Sequence, residues 1–177
     1  EMCIRDRYNS WQIRQILARG VHGILLCEAT TPDAVATFVE SCRYKLNDIG
    51  VGHGLRDGTR GVGSEFKAKQ KWGIGDDNEY RAKADPWPLN PEGELLLGLK
   101  IETLAGLSNC EQILSVPGIG FAEMGPGDMS MSMGIRKMAE SAAAEDGHSG
   151  WRQDGRTTRP RPAVDGRQSP RPIPSWT

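Results

Sequence analysis

Two hydrophobic runs in this chain each end in a carboxylate, and a helical stretch separates them. The first is Leu95-Leu96-Leu97-Gly98-Leu99-Lys100-Ile101-Glu102-Thr103. The second is Ile119-Gly120-Phe121-Ala122-Glu123-Met124-Gly125-Pro126-Gly127-Asp128. Short apolar runs bounded by glycine and proline read as buried strands. Strand, helix, strand in sequence implies parallel pairing through a crossover. Acids at the C-terminal ends of neighbouring parallel strands lie where barrel enzymes place their chemistry. Two such oxygens, converging with substrate and water, suit a hard divalent cation, Mg²⁺ or Mn²⁺. Glu102 and Asp128 are therefore candidate metal ligands.

The same alternation runs upstream. Ser10 can cap a helix with apolar positions Ile13, Ile16 and Leu17, which Gly20 closes. Val21 to Cys27 reads as a strand. Thr31-Pro32-Asp33 opens the next helix, with Thr as N-cap, Pro at the first helical position and Asp near the positive end of the dipole. Ala34, Val35, Phe38, Val39 and Cys42 form its apolar face. Residues 46–93 are a long glycine-, proline- and charge-rich connection, of the kind that is functional or carries short helices of its own. Ser108-x-x-Glu111 reads as a capping box before Ile113 and Leu114. A last helix is expected over Ile135 to Ala144.

The chain divides into three parts. Residues 1–9 look foreign to the fold or disordered, and 10–146 form the domain. Residues 147–177 hold six Arg, five Pro and no Lys. Such a segment buries too little apolar surface to offset its ordering entropy and is expected to be disordered. Net charge is −1, which gives no electrostatic case for nucleic acid or an anionic membrane. No apolar run reaches the roughly 18 residues of a membrane helix, and residues 1–9 do not form a signal peptide. Cys3, Cys27, Cys42 and Cys110 make no CxxC, so free thiols and a cytoplasmic location are expected.

The motifs together resemble the HpcH/HpaI aldolases, relatives of citrate lyase β-subunits. The resemblance rests on Ile101-Glu102-Thr103, on Glu111 to Ile119, and on Gly125-Pro126-Gly127-Asp128-Met129-Ser130. It extends to Gln12 through Leu17, Arg43-Tyr44 and Thr59-Arg60-Gly61-Val62-Gly63-Ser64, and covers residues 10–134. The resemblance implies an α/β fold, a (β/α)₈ TIM barrel. A closed barrel takes about 250 residues, so a partial barrel of middle strands is expected, followed by a disordered tail.

The resemblance also implies a class II aldolase that cleaves or forms 4-hydroxy-2-oxo acids. Its partners would be pyruvate and an aldehyde, and a full-length form would be a homo-oligomer. Glu102 and Asp128 match the family's metal carboxylates. Arg60 matches the arginine that contacts the 2-oxo group. Gly125, Gly127 and Asp128 match the turn whose main-chain N–H groups hold the substrate carboxylate; Pro126 has no N–H to give. Most members carry Ala at the position of Gly127. Glu28 departs from an apolar family position and could touch substrate or pair with a base. The family's histidine–aspartate base matches neither His22 nor His53, so the chain as given is expected to be inactive. Gly50-Val51-Gly52-His53-Gly54 lacks the order of a phosphate loop. A citryl- or malyl-CoA lyase relative, or a non-catalytic fragment of the fold, are the alternatives.

Overall fold

The computed structural model describes residues 2–135. The tail 147–177 and most of the helix expected over 135–144 lie outside the described residues. Helix α1 spans Met2–Leu17, so it begins N-terminal to the expected cap at Ser10. Ile13 and Leu17 are buried from it, but Ile16 is exposed. Strand β1 (Gly23–Leu26) follows, then α2 (Pro32–Cys42), α3 (Glu65–Lys71), α4 (Asp77–Lys83) and β2 (Pro86–Trp87). The long connection thus carries two short helices and a two-residue strand. Strand β3 (Leu95–Ile101) leads to α5 (Leu104–Ser108) and α6 (Cys110–Leu114). Strand β4 (Phe121–Met124) and α7 (Pro126–Ser132) complete the order.

Every strand pairing is parallel, as the alternation of elements requires. β3 is central. β1 flanks one side, with Gly23 opposite Leu96 and Leu26 opposite Leu99. The other side of β3 is shared: β2 pairs with Leu95 and Leu96, and β4 with Gly98 to Ile101. The sheet is mixed α/β in composition and parallel throughout.

Alternation along β3 divides its two faces. Leu95, Leu97, Leu99 and Ile101 are buried with Val35, Phe38, Val39 and Cys42 of α2 and Ile113 of α6. Among the described residues, no helix covers the opposite face. Leu25, Leu96 and Phe121 are exposed there. Gly98 lies under the Phe121 ring, which occupies the space a side chain on Gly98 would need.

Local signals explain most helix starts. Thr31 Oγ1 accepts from Ala34 N–H at 3.3 Å, with Pro32 next, as the sequence predicts. The capping box at Ser108 does not form. Ser108 instead donates to Leu104 O at 2.9 Å, because it already lies at the end of α5. That helix starts earlier, where Thr103 Oγ1 accepts from Gly106 N–H at 3.1 Å.

At the N-terminal end of the sheet, Arg43 and Asp85 form a fully buried bidentate pair, at 2.7 and 3.1 Å. Arg43 also donates to Ile49 O, and Asn90 to Asp85. The pair ties the end of α2 to the start of β2. Its extra hydrogen bonds meet the requirement that buried charges be fully partnered. Among the described residues, no helix is long and apolar enough to cross a membrane.

Candidate functional site

Glu102 follows the last residue of β3, and its carboxylate is buried, with only 3% of the residue exposed. One oxygen, Oε1, accepts from the Glu28 backbone N–H at 2.9 Å. Glu28 lies just past the end of β1 and takes a left-handed φ of 54°. A non-glycine residue there is costly, of order 1 kcal/mol or more. The side chain of Glu28 is exposed. Its contribution to Glu102 is therefore made by main chain, not by the extra carboxylate that the sequence singled out.

The second oxygen of Glu102, Oε2, faces two neighbours. Lys100 Nζ is 3.7 Å away. Gly125 packs so closely that a Cβ there would lie 2.5 Å from Oε2 and 2.9 Å from Lys100 Cε. A side chain at this position would force Glu102 or Lys100 to shift. Gly125 opens the turn into α7, whose first turn carries Asp128. Asp128 is exposed. α7 is fastened to α5 by Leu104 N–H donating to Ser132 Oγ at 3.0 Å. The two carboxylates thus share the C-terminal edge of β3 and β4.

The turn behaves differently from the sequence expectation at Gly125. Its N–H donates to Ile101 O at 3.1 Å, extending the β3–β4 ladder. In this structure that N–H is thus engaged by the sheet rather than turned to the space where a substrate carboxylate was expected. At Gly127 an added methyl would meet nothing within 4 Å, so an alanine there would fit without disturbing the turn.

Arg60 does not join this site. Its guanidinium is buried against Tyr44, 4.4 Å from the ring centroid, and donates to Tyr80 Oη at 2.7 Å. Tyr80 packs edge-on against Trp72, which stacks on His22 at 4.1 Å. His22 immediately precedes β1, and its carbonyl accepts from Leu96 N–H. The whole cluster therefore lies at the N-terminal end of the strands. β3 has seven residues, about 20 Å at ~3.3 Å per residue, and Glu102 lies past its far end. The structure does not bring Arg60, expected to contact the 2-oxo group, together with Glu102 and Asp128. Burial raises the Tyr44 hydroxyl to a pKa of about 12, although the Arg60 charge opposes the rise. Neither His22 nor His53, in its exposed glycine-rich loop, reaches the carboxylates.

Sequence reasoning missed Lys100. The signal was present: Lys100 and Glu102 are two residues apart on a strand, hence on one face. Among the described residues, no three of His, Cys, Asp and Glu form a group that could hold a metal. Glu102 and Asp128 are a two-acid set. Their hard oxygens suit a small divalent cation that also takes substrate and water as ligands.

Comparison with known proteins shows the family and the fold. A family model described as HpcH/HpaI aldolase/citrate lyase matches residues 4–149. The chain is 30% identical over 122 residues to a hydroxypyruvate/pyruvate aldolase of Deinococcus radiodurans, covering 69% of this chain and 37% of that protein. It is also 30% identical over 122 residues to a 2-keto-3-deoxy-L-rhamnonate aldolase of Klebsiella pneumoniae, covering 69% and 39%. The chain thus spans well under half the length of these curated relatives. The fold resembles that of an aldolase/citrate lyase family protein from Burkholderia cenocepacia. The TM-score is 0.54 at 20% identity, over 78% of this chain and 51% of the other.

Proposed function

This chain belongs to the HpcH/HpaI aldolase/citrate lyase family, and on that premise we propose that it carries the metal half of a carbon–carbon lyase site for 2-oxo acids. Glu102 and Asp128 are the proposed ligands, and Mg²⁺ or Mn²⁺ the proposed ion. The observation that carries the reading is the buried Glu102 carboxylate, fixed by Glu28 N–H at 2.9 Å beside the turn that bears Asp128. A surface acid would be neither buried nor oriented in this way.

A divalent cation at such a pair supplies Lewis acidity for negative charge developing on a keto oxygen as the C–C bond breaks. The chain's own residues hold and orient. Glu28 N–H prevents rotation of Glu102, so one carboxylate oxygen is presented in a fixed direction. Asp128, on a helix fastened to α5, supplies the second oxygen from the solvent side. Gly127 borders the same space and is a proposed substrate contact. Cleavage of a 4-hydroxy-2-oxo acid also needs a base to take the hydroxyl proton as the aldehyde leaves a pyruvate enolate, and an acid to return a proton to the enolate carbon. No histidine among the described residues stands at this end of the sheet. The base is assigned to barrel segments beyond residues 10–146, and the chain alone is proposed to be inactive.

The relatives are named for aldolase reactions of pyruvate, hydroxypyruvate and 2-keto-3-deoxy-L-rhamnonate. A pyruvate-type 2-oxo acid and an aldehyde are accordingly the proposed substrates here. The fold is proposed to be the middle of a (β/α)₈ barrel, with the uncovered sheet face as part of its interior. The test is Mn²⁺ binding to the chain, followed by electron paramagnetic resonance, beside Glu102→Ala. Binding that weakens at least about tenfold in the variant supports the assignment. Equal binding by both proteins would sink the role of Glu102.

A further inference from the structure

A cleft opens on the side of α2 that faces away from the sheet. The sheet side of this helix carries Val35, Phe38, Val39 and Cys42. Asp33, Thr37 and Glu40 fall on the opposite side, spaced by four and three residues. The loop from Val51 to Asp57 folds over them, and α1 adds Ser10 and Arg14. The cleft holds about 730 Å³, and a second lobe of about 310 Å³ adjoins it. Glu40, Leu55 and Arg56 line both lobes, Asp57 only the larger and Asp33 only the smaller. Asp33 and Glu40 stand about 10 Å apart along the helix axis.

Glu40 occupies the junction of the lobes, with its side chain only 6% exposed. A buried carboxylate must be partnered. Oε1 accepts from the Arg56 main-chain N–H at 2.9 Å and from Arg56 Nε at 3.1 Å. The Arg56 side chain is 64% exposed, so the cation that covers Glu40 lies at the surface. The donors of the walls are otherwise engaged. Ser41 Oγ donates to Thr37 O, and Thr59 N–H to Glu40 O. Arg14 donates from all three guanidinium nitrogens, to Ser10 and to Thr59 O. The acceptors retain capacity: Glu40 Oε2, Asp33 and Asp57 take no hydrogen bond among the described residues. Val51 and Leu55 supply an apolar wall between them. Such a surface calls for a donor-rich cation with an aliphatic body. A bare divalent ion needs several converging oxygens, and among the described residues no three acids, histidines or cysteines gather to hold one.

From this cleft we propose a binding site for a linear aliphatic polyamine. One ammonium sits on Glu40 Oε2, its methylenes lie against Val51 and Leu55, and further ammonium groups reach Asp57 and Asp33. Each ammonium brings three donors on a thin, flexible stem, which suits acceptors set apart along a groove. α2 separates the cleft from Glu102, so this site is independent of the reading given above.

The experiment is isothermal titration of spermidine into the full 177-residue chain at low ionic strength, with butylamine and Mg²⁺ as comparison cations. The variants are Glu40→Gln, Thr37→Lys and the double variant Asp33→Asn, Asp57→Asn. Circular dichroism confirms that each folds. The expected result is saturable spermidine binding at least about tenfold tighter than butylamine or Mg²⁺, because several ammonium groups engage at once. Glu40→Gln and the double variant should each weaken it at least about tenfold. Thr37→Lys leaves the hydrogen bonds of Glu40 in place but puts the chain's own ammonium into the cleft, and should abolish binding. That variant decides the matter even if Glu40→Gln fails to fold. Absence of saturable binding in the parent would overturn the site. Equal binding by parent and Thr37→Lys would overturn it too, as would spermidine binding no tighter than Mg²⁺, which is diffuse attraction to surface acids. None of these outcomes alters Mn²⁺ binding at Glu102.

Discussion

Gly125 is the residue on which the arrangement of the others depends most directly. A methyl group there would press on Glu102 Oε2 and Lys100 Cε together. Lys100 can shift, but Glu102 is tied through its other oxygen to Glu28 N–H and also meets the methyl at its Cβ. Gly125→Ala is expected to weaken Mn²⁺ binding at least about tenfold and to lower stability by about 1–3 kcal/mol. Titration with Mn²⁺ and urea denaturation would measure the two effects. Gly127→Ala, which meets open space, is the control and should leave both nearly unchanged. At this scale the sequence was informative where chemistry and position coincided. The position of Glu102 just past a strand was legible from its apolar run, whereas Asp128, expected at the end of its run, lies in the first turn of α7. Arg60 was misplaced because a motif match shows which residues recur together in the chain. It does not show the end of a strand to which a connecting loop returns. Lys100 escaped notice because a lysine on a strand face reads as a solvated charge until a neighbouring turn closes over it.

Helices α3 and α4 share a small buried cluster through Ala68 and Tyr80, and charged side chains tie them together. Arg81 Nε donates to Glu65 Oε1 at 2.7 Å, and Gly63 N–H donates to the other oxygen. Burial alone would raise the Glu65 carboxyl. The Arg81 hydrogen bond, the main-chain donors and the Arg81 charge outweigh it and hold the group below its usual range. A carboxyl lowered on folding contributes stability above its unfolded pKa, about 4.3. That contribution disappears as pH falls through the lower, folded value. Glu65→Gln should therefore reduce the urea midpoint near neutral pH and flatten its decline below about pH 4. Parallel acid declines in parent and variant would show that Glu65 does not drive the loss. The elements themselves were legible where a cap and an apolar face agreed, as at Thr31 and along α2. They were obscured where two signals competed within a few residues. Thr103 and Ser108 both suit an N-cap, and the one nearest the strand end took the role, which left Ser108 to bond back within its own helix.

Among the described residues, the sheet is one-sided. Helices cover one face of the sheet, and Leu25, Leu96 and Phe121 stand exposed on the other. An apolar patch of this kind marks a surface that meets something else, or one that aggregates. The purified chain is expected to bind a hydrophobic dye and to elute above its 19.4 kDa monomer mass. The double variant Leu96→Lys, Phe121→Lys should reduce both effects. A monomer that binds no dye would show that the face is covered. Light scattering on the eluting peak would distinguish these results. Parallel topology was legible from the alternation of elements, but the sharing of one side of β3 by two short strands was not. Hydrophobic pattern records that a strand is buried, not which neighbour occupies each part of its edge. That sharing has a mechanical consequence. β1, β2 and β4 each pair with β3, so they behave as three flaps hung on one ribbon. Each can peel away without drawing the others with it, whereas loss of β3 releases all three. The Glu28–Glu102 hydrogen bond crosses from the flap of β1 to the ribbon at the acidic edge. Fraying of β1 would be felt there first, as a carboxylate freed to turn.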